Sequence, residues 1–169
     1  YTRIDTKLVN NIIDTTVKTN FDEQLFARFK NELDKGKSLV YLGDNAGEIV
    51  FDKIFIKKIA QQYPHIKITF VTREKPISSD VTEEDAYYVG IDQYASIVNN
   101  GTDIAGTDLF EVSEQFKELF NQADVIISKG QGNFETLTGC GRNIYYLFLC
   151  KCDVFMKMLK VEKFTSMFR

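Results

Sequence analysis

Ser38-Leu39-Val40-Tyr41-Leu42-Gly43-Asp44-Asn45-Ala46-Gly47-Glu48 is the stretch that decides the fold. Its first five residues are a short apolar run halted by glycine, which reads as a strand buried on both faces. A polar turn with two glycines follows. From Ile49 to about Gln62 the pattern becomes that of a helix. Strand, polar turn and helix, in that order, open a layered α/β sheet.

The alternation continues downstream. Lys67-Ile68-Thr69-Phe70-Val71-Thr72 predicts a second strand, and Glu83 to Val89 a short helix capped by Thr82 with acids in its first turn. Ala95 to Val98, Asp124 to Ser128 and Asn143 to Leu149 predict three more strands. Leu109, Val112, Phe116, Leu119 and Phe120 predict a helix starting near Thr107 or Asp108, and Val154 to Leu159 a closing one. Upstream, Leu8, Ile12 and Ile13 fit one helix. Leu25, Phe26, Phe29 and Leu33 fit another, which Gly36 would stop. Strands alternating with helices predict a parallel sheet covered on both faces. Residues 1–36 form an N-terminal helical segment on this reading, and 37–169 the α/β domain.

Composition narrows the function classes. The chain has 169 residues, 44% hydrophobic and 27% charged, which suits one globular core. Its net charge is −3 and its lysines are scattered, so a nucleic-acid partner is not expected. No apolar run approaches the roughly 20 residues of a membrane span. Cys140, Cys150 and Cys152 are odd in number and irregular in spacing, which predicts free thiols and a reducing, cytoplasmic setting.

The polar residues collect after the strands. Asp44, Asn45, Gly47 and Glu48 follow the first, and Arg73 to Asp80 the second. Asn100, Gly101, Asp103 and Thr107 follow the third, and Lys129, Gly130, Gly132 and Asn133 the fourth. In an open parallel sheet these loops share one edge, where ligands bind. Asp44, Asn45 and Asp80 supply hard oxygen donors suited to Mg²⁺ or Mn²⁺. Lys129 with Gly130 and Gly132 suits an anion, the ammonium neutralising charge and the glycines letting the backbone approach. Thr107 either adds a hydroxyl or caps its helix. The one histidine, His65, precedes the second strand and lies at the opposite edge.

These residues, as written, resemble the DUF89 (damage-control phosphatase, ARMT1-like) family, its archaeal and bacterial branch in particular. Leu42 to Asp52 is similar to that family's first motif. Lys75-Pro76 through Asp80-Val81-Thr82, with Asp85-Ala86, is similar to its second. Asn100-Gly101-Thr102-Asp103 with Gly106-Thr107 resembles the third, and Lys129 to Glu135 the fourth. The resemblance runs from about Asn11 to Val161. It implies a three-layer α/β/α, Rossmann-like, mostly parallel sheet with N-terminal helices. It also implies a divalent metal (Mg²⁺, Mn²⁺, Co²⁺ or Ni²⁺) with ligands at Asp44, Asn45 and Asp80, and phosphate contacts at Lys129 and its glycines. Prokaryotic members usually begin with a helical segment carrying paired cysteines. This chain opens inside the helical part, which predicts N-terminal truncation.

The expected activity is metal-dependent hydrolysis of small phosphometabolites such as sugar phosphates, with Asp44, Asp80 and Lys129 as catalytic residues. Gly47, Glu48, Asn100, Gly101, Asp103, Thr107, Lys129, Gly130, Gly132 and Asn133 would contact phosphate or substrate. A metal-held water and Asp44 itself are both open as nucleophile, and Glu48 or Asp103 as base. Two rival readings are an S-adenosylmethionine-dependent methyltransferase and a phosphate- or nucleotide-binding module without turnover. Against a dinucleotide site, Gly43 to Gly47 does not spell G-x-G-x-x-G, and Val71-Thr72-Arg73 ends the second strand without an acid for a ribose.

Overall fold

Two parallel ladders flank one central strand and set the position of everything else. The computed structural model describes residues 22–169. β1 (Ser38–Leu42) pairs with β2 (Lys67–Thr72) on one side and β4 (Val125–Lys129) on the other. β3 (Ser96–Asn99) extends the sheet beyond β2, and β5 (Tyr145–Cys150) beyond β4. β6 (Thr165–Phe168) runs antiparallel along β5. The order is β3-β2-β1-β4-β5-β6, mostly parallel as the sequence predicts.

Side-chain alternation along the strands feeds two cores. Leu39, Tyr41, Ile68 and Phe70 face α1 (Glu23–Lys35), α2 (Ile49–Gln62) and α3 (Glu83–Val89) through Phe29, Leu33, Ile56, Ile59 and Ala86. Val40, Leu42, Val71 and Ile126 face the other way. There they meet Phe116 and Phe120 of α4 (Glu114–Gln122) and Leu137 of α5 (Gln131–Leu137). α6 (Asp153–Leu159) adds Phe155 and Leu159 to a smaller cluster around Phe134 and Phe148. The result is a three-layer α/β/α fold. α1 shares its core with the sheet, and Gly36 ends it.

Four details differ from the sequence reading. α4 begins at Glu114 because Ser113 caps it by accepting from Phe116 N–H, while Asp108 closes a separate turn over Phe110. Leu109 and Val112 still pack on the α4 side, which is why their spacing mimics an earlier helix. α5 starts directly after Gly130, where a loop is expected, and β6 is not anticipated at all. β3, β4 and β5 each start one or two residues later than expected. The helix expected around Leu8, Ile12 and Ile13 lies outside the described residues. Among the described residues no helix is long and apolar enough to cross a membrane.

The edge opposite the loops is pinned by Asp124. Its Oδ2 accepts from the Lys37 and Ser38 N–H groups at 2.8 and 3.0 Å and from the Ser38 hydroxyl at 3.0 Å, tying the start of β4 to the start of β1. The Lys37 amide is the main influence that holds this carboxyl below its ordinary value of 3.8. A depressed carboxyl stabilises the fold above that value, and the contribution is lost as pH falls through the folded-state value. Asp124→Ala is expected to lower the unfolding free energy at pH 7 by about 1 kcal/mol, the scale of exposed hydrogen bonds. Urea titrations across pH check this: the penalty should shrink below pH 3.8.

Candidate active site at the strand switch point

β1 is where the strand order turns: the chain leaves it toward β2 and later returns on its other flank as β4. Open sheets of this kind bind ligands beyond the carboxyl ends of the strands at the switch point, and here the loops that carry the polar motifs meet beyond β1 and β4.

Each loop is bound to its neighbour by backbone. Gly43 N–H reaches Val71 O at 2.9 Å, Val81 N–H reaches Asp44 O at 2.8 Å and Ala46 N–H reaches Ser79 O at 2.8 Å. The last two bonds flank an antiparallel bridge between Asn45 and Asp80, so these side chains stand opposite one another although 35 residues separate them. Gly43 lies so close to the Phe70 ring and Val81 that a Cβ would come within 2.7 Å of both.

A buried polar hub joins all four loops. Arg73, only 2% exposed, donates from Nε to Asp80 Oδ2 at 2.8 Å. Its two terminal nitrogens donate to Thr107 Oγ1 at 3.2 Å and Asn133 Oδ1 at 3.0 Å. The Thr107 hydroxyl donates to the same Asn133 oxygen at 2.7 Å. Asn133 Nδ2 in turn donates to Lys129 O at 2.8 Å and Gly43 O at 3.2 Å. One guanidinium and one carboxamide thus connect the ends of β1, β2 and β4 with the loop after β3.

Asp44 sits at the centre. Its carboxyl packs on the Cα of Gly130, whose φ is +82° and where a Cβ would lie 2.1 Å from Asp44 Cγ. Only glycine fits there, for both reasons. Asn45 Nδ2 donates to Asp44 Oδ2 at 3.0 Å, and the Ser79 hydroxyl donates to Asn45 Oδ1. Burial, and then the charge of Asp80, push the Asp44 carboxyl above its ordinary value. Among the described residues no donor reaches the second carboxylate oxygen of either Asp44 or Asp80.

Lys129 ends β4. Its Nζ lies 2.7 Å from Asp52 Oδ1 and 3.3 Å from Glu48 Oε1, both on the α2 side. The Tyr41 hydroxyl donates to the same Asp52 oxygen at 2.7 Å. Burial would lower the lysine, but the two carboxylates outweigh it and hold the ammonium above its ordinary value.

Asp44, Asn45, Asp80, Thr107, Gly130 and Asn133 therefore converge, and Lys129 joins them through its backbone carbonyl while its ammonium is bound to Glu48 and Asp52. Gly130 contributes room rather than an amide, since its N–H is bonded to Leu147 O at 2.9 Å. Gly106 (φ +85°) lies so close to α5 that a Cβ there would come 2.8 Å from Gly132 O, whereas a Cβ at Gly132 would make only ordinary contact. Asn100 and Gly101 form a buried turn: Asn100 Oδ1 accepts from Thr102 N–H, and Gly101 (φ +79°) abuts Ser113. Gly47 and Asp103 are exposed. Three central residues were absent from the candidate set: Arg73, Asp52 and Tyr41. A lone arginine after a strand reads as solvated, and Asp52 reads as an ordinary acid in the first turn of a helix. The α2 register, which turns Asp52 inward with Ile49 and Ile56, was the available signal.

For a cation, the candidate donors are two carboxylates, one of them raised by burial and then by its neighbour's charge, and a side-chain amide. That set fits a hard divalent ion completed by water or phosphate oxygens. It does not fit a closed soft-ligand site, and among the described residues no cluster of three or more His, Cys, Asp or Glu is placed to hold a metal alone.

Comparison with known proteins agrees with the fold. The damage-control phosphatase of Pyrococcus horikoshii is 40% identical over 133 residues, covering 78% of this chain and 46% of that protein. A Methanocaldococcus jannaschii protein is 38% identical over 160 residues, covering 92% and 51%. A damage-control phosphatase of Archaeoglobus fulgidus is 39% identical over 124 residues, covering 72% and 42%. The chain thus spans about half the length of these relatives. The crystal structure of a DUF89 family protein from P. horikoshii superposes with a TM-score of 0.76 at 39% identity, over 80% of this chain and 48% of that one. The model of the damage-control phosphatase ARMT1-like domain matches residues 4–167, and the chain belongs to that family.

Proposed function

We propose that the chain carries the catalytic half-site of a metal-dependent phosphatase acting on small phosphorylated metabolites. What supports this reading is the opposition of Asn45 and Asp80 beside Asp44 at the β1/β4 switch point, with Lys129 ending the adjacent strand β4. Two relatives covering more than two thirds of the chain are named damage-control phosphatases, which supports the same class.

A divalent cation held by Asp44, Asn45 and Asp80 would supply Lewis-acid polarisation of a phosphoryl oxygen. The chain's own residues do the positioning. Arg73 fixes one oxygen of the Asp80 carboxylate and leaves the other without a donor among the described residues. Asn45 holds one Asp44 oxygen and leaves the other likewise without a donor among the described residues. Lys129 supplies a fixed positive charge for the non-bridging phosphate oxygens, on which charge accumulates as phosphoryl transfer proceeds. Thr107 and Asn133 are saturated by the hub, so they serve as scaffold rather than as substrate contacts.

Incubating the chain with para-nitrophenyl phosphate should release phosphate with added Mg²⁺, Mn²⁺, Co²⁺ or Ni²⁺, and should stop with a chelator. Ligand binding without turnover would favour the binding-module reading instead. Asp44→Asn is expected to lose about 100-fold or more in turnover, the scale of removing one preorganised charged group. The same variant should melt at a higher temperature at pH 7. A carboxyl raised on folding costs stability as pH rises above its ordinary value of 3.8, so the gain should vanish below that pH. Thermal melts of both proteins at pH 7 and near pH 3.5 give the comparison.

A further inference from the structure

We propose that Glu48 and Asp52 divide the holding of Lys129 between them: Asp52 is its permanent anchor, and Glu48 a releasable partner that an anionic oxygen displaces. The inference rests on the phosphate reading above and adds a loading device to it.

The two carboxylates are not equivalent. Asp52 is 3% exposed and lies 2.7 Å from Lys129 Nζ. The Tyr41 hydroxyl, itself buried, locks it in place at 2.7 Å. Asp52 Oδ2 is buried with no hydrogen-bond partner, so the side chain gives up half its bonding capacity to aim Oδ1 at the lysine. Such a geometry leaves Asp52 no solvated alternative, and breaking the pair would strand a buried charge. Glu48 is different. Its side chain is 38% exposed, and its contact with Lys129 is longer, at 3.3 Å. It sits one residue before α2, with no cap bond from its side chain. Water can solvate it on departure, and a half-exposed pair of this kind contributes little. An ammonium has three N–H groups. One is committed to Asp52, one is shared with Glu48, and a phosphate oxygen carrying more charge than one carboxylate oxygen can take the second. Glu48 thereby keeps Lys129 neutralised until an anion arrives. Asp52 is accordingly a positioning residue for Lys129.

Equilibrium binding of inorganic phosphate, with Mn²⁺ present, tests the division. Glu48→Gln keeps the shape and removes the competing charge, so phosphate should bind about two- to fivefold tighter, the scale of a half-exposed ion pair. Asp52→Asn should bind phosphate about tenfold more weakly, because Lys129 then turns to Glu48 as its only carboxylate. Reductive methylation of Lys129, followed by mass spectrometry without phosphate or metal, is independent of the phosphatase reading. It should be faster in Glu48→Gln and in Asp52→Asn than in wild type. Weaker or unchanged phosphate binding in Glu48→Gln overturns the release role, and wild-type affinity in Asp52→Asn overturns the anchor. Lys129→Met identifies a failure of the phosphate reading itself: unchanged phosphate affinity there removes both that reading and the device built on it.

Discussion

The Arg73–Asn133 pair is the constraint on which the site depends. Four loops that share no sequence neighbourhood are held in register because one guanidinium and one carboxamide bond to all of them away from water. Buried polar groups of this kind are favourable only when their partners are complete. Here each bond of the hub also fixes a loop, so the geometry of Asp80 relative to Asp44 follows from bonds made behind the site rather than within it. The sheet brings the loops to one edge, and the hub sets their spacing.

The front of the site is electrostatically unfavourable by itself. Asp44 is pressed against Gly130, partly buried and raised by Asp80, with a single amide donor for relief. Functional sites commonly carry such a cost, offset by the rest of the fold. On the other flank one ammonium faces two carboxylates: Lys129 stands between Glu48 and Asp52. On the proposed reading, a cation would relieve the first half, and an anion would take the place of the more exposed carboxylate on the second.

Much of this was legible in the sequence. The five parallel strands and α1 to α3 follow from apolar runs and helical spacing, because parallel strands buried on both faces leave an unmistakable pattern. Asp44, Asp80 and Lys129 become candidates once every post-strand loop is placed on one edge. What escaped depends on contacts between distant residues. Arg73 is the clearest case: nothing near it in sequence reveals that Asp80, Thr107 and Asn133 surround it. α5 was masked by its glycine and asparagine, which favour turns in isolation. β6 has only four residues and pairs antiparallel, so no crossover pattern announces it. The glycine reading was half right in physical terms. Gly130 is required, but for the space that Asp44 occupies and for its positive φ, since its amide belongs to the sheet.

Crystals of the chain soaked with Mn²⁺ and inorganic phosphate, measured at the manganese absorption edge, test the central claim most directly. A single anomalous peak within coordination distance of the Asp44, Asn45 and Asp80 oxygens is the expected result. A well-occupied manganese site elsewhere, with those three side chains left uncoordinated, would contradict it.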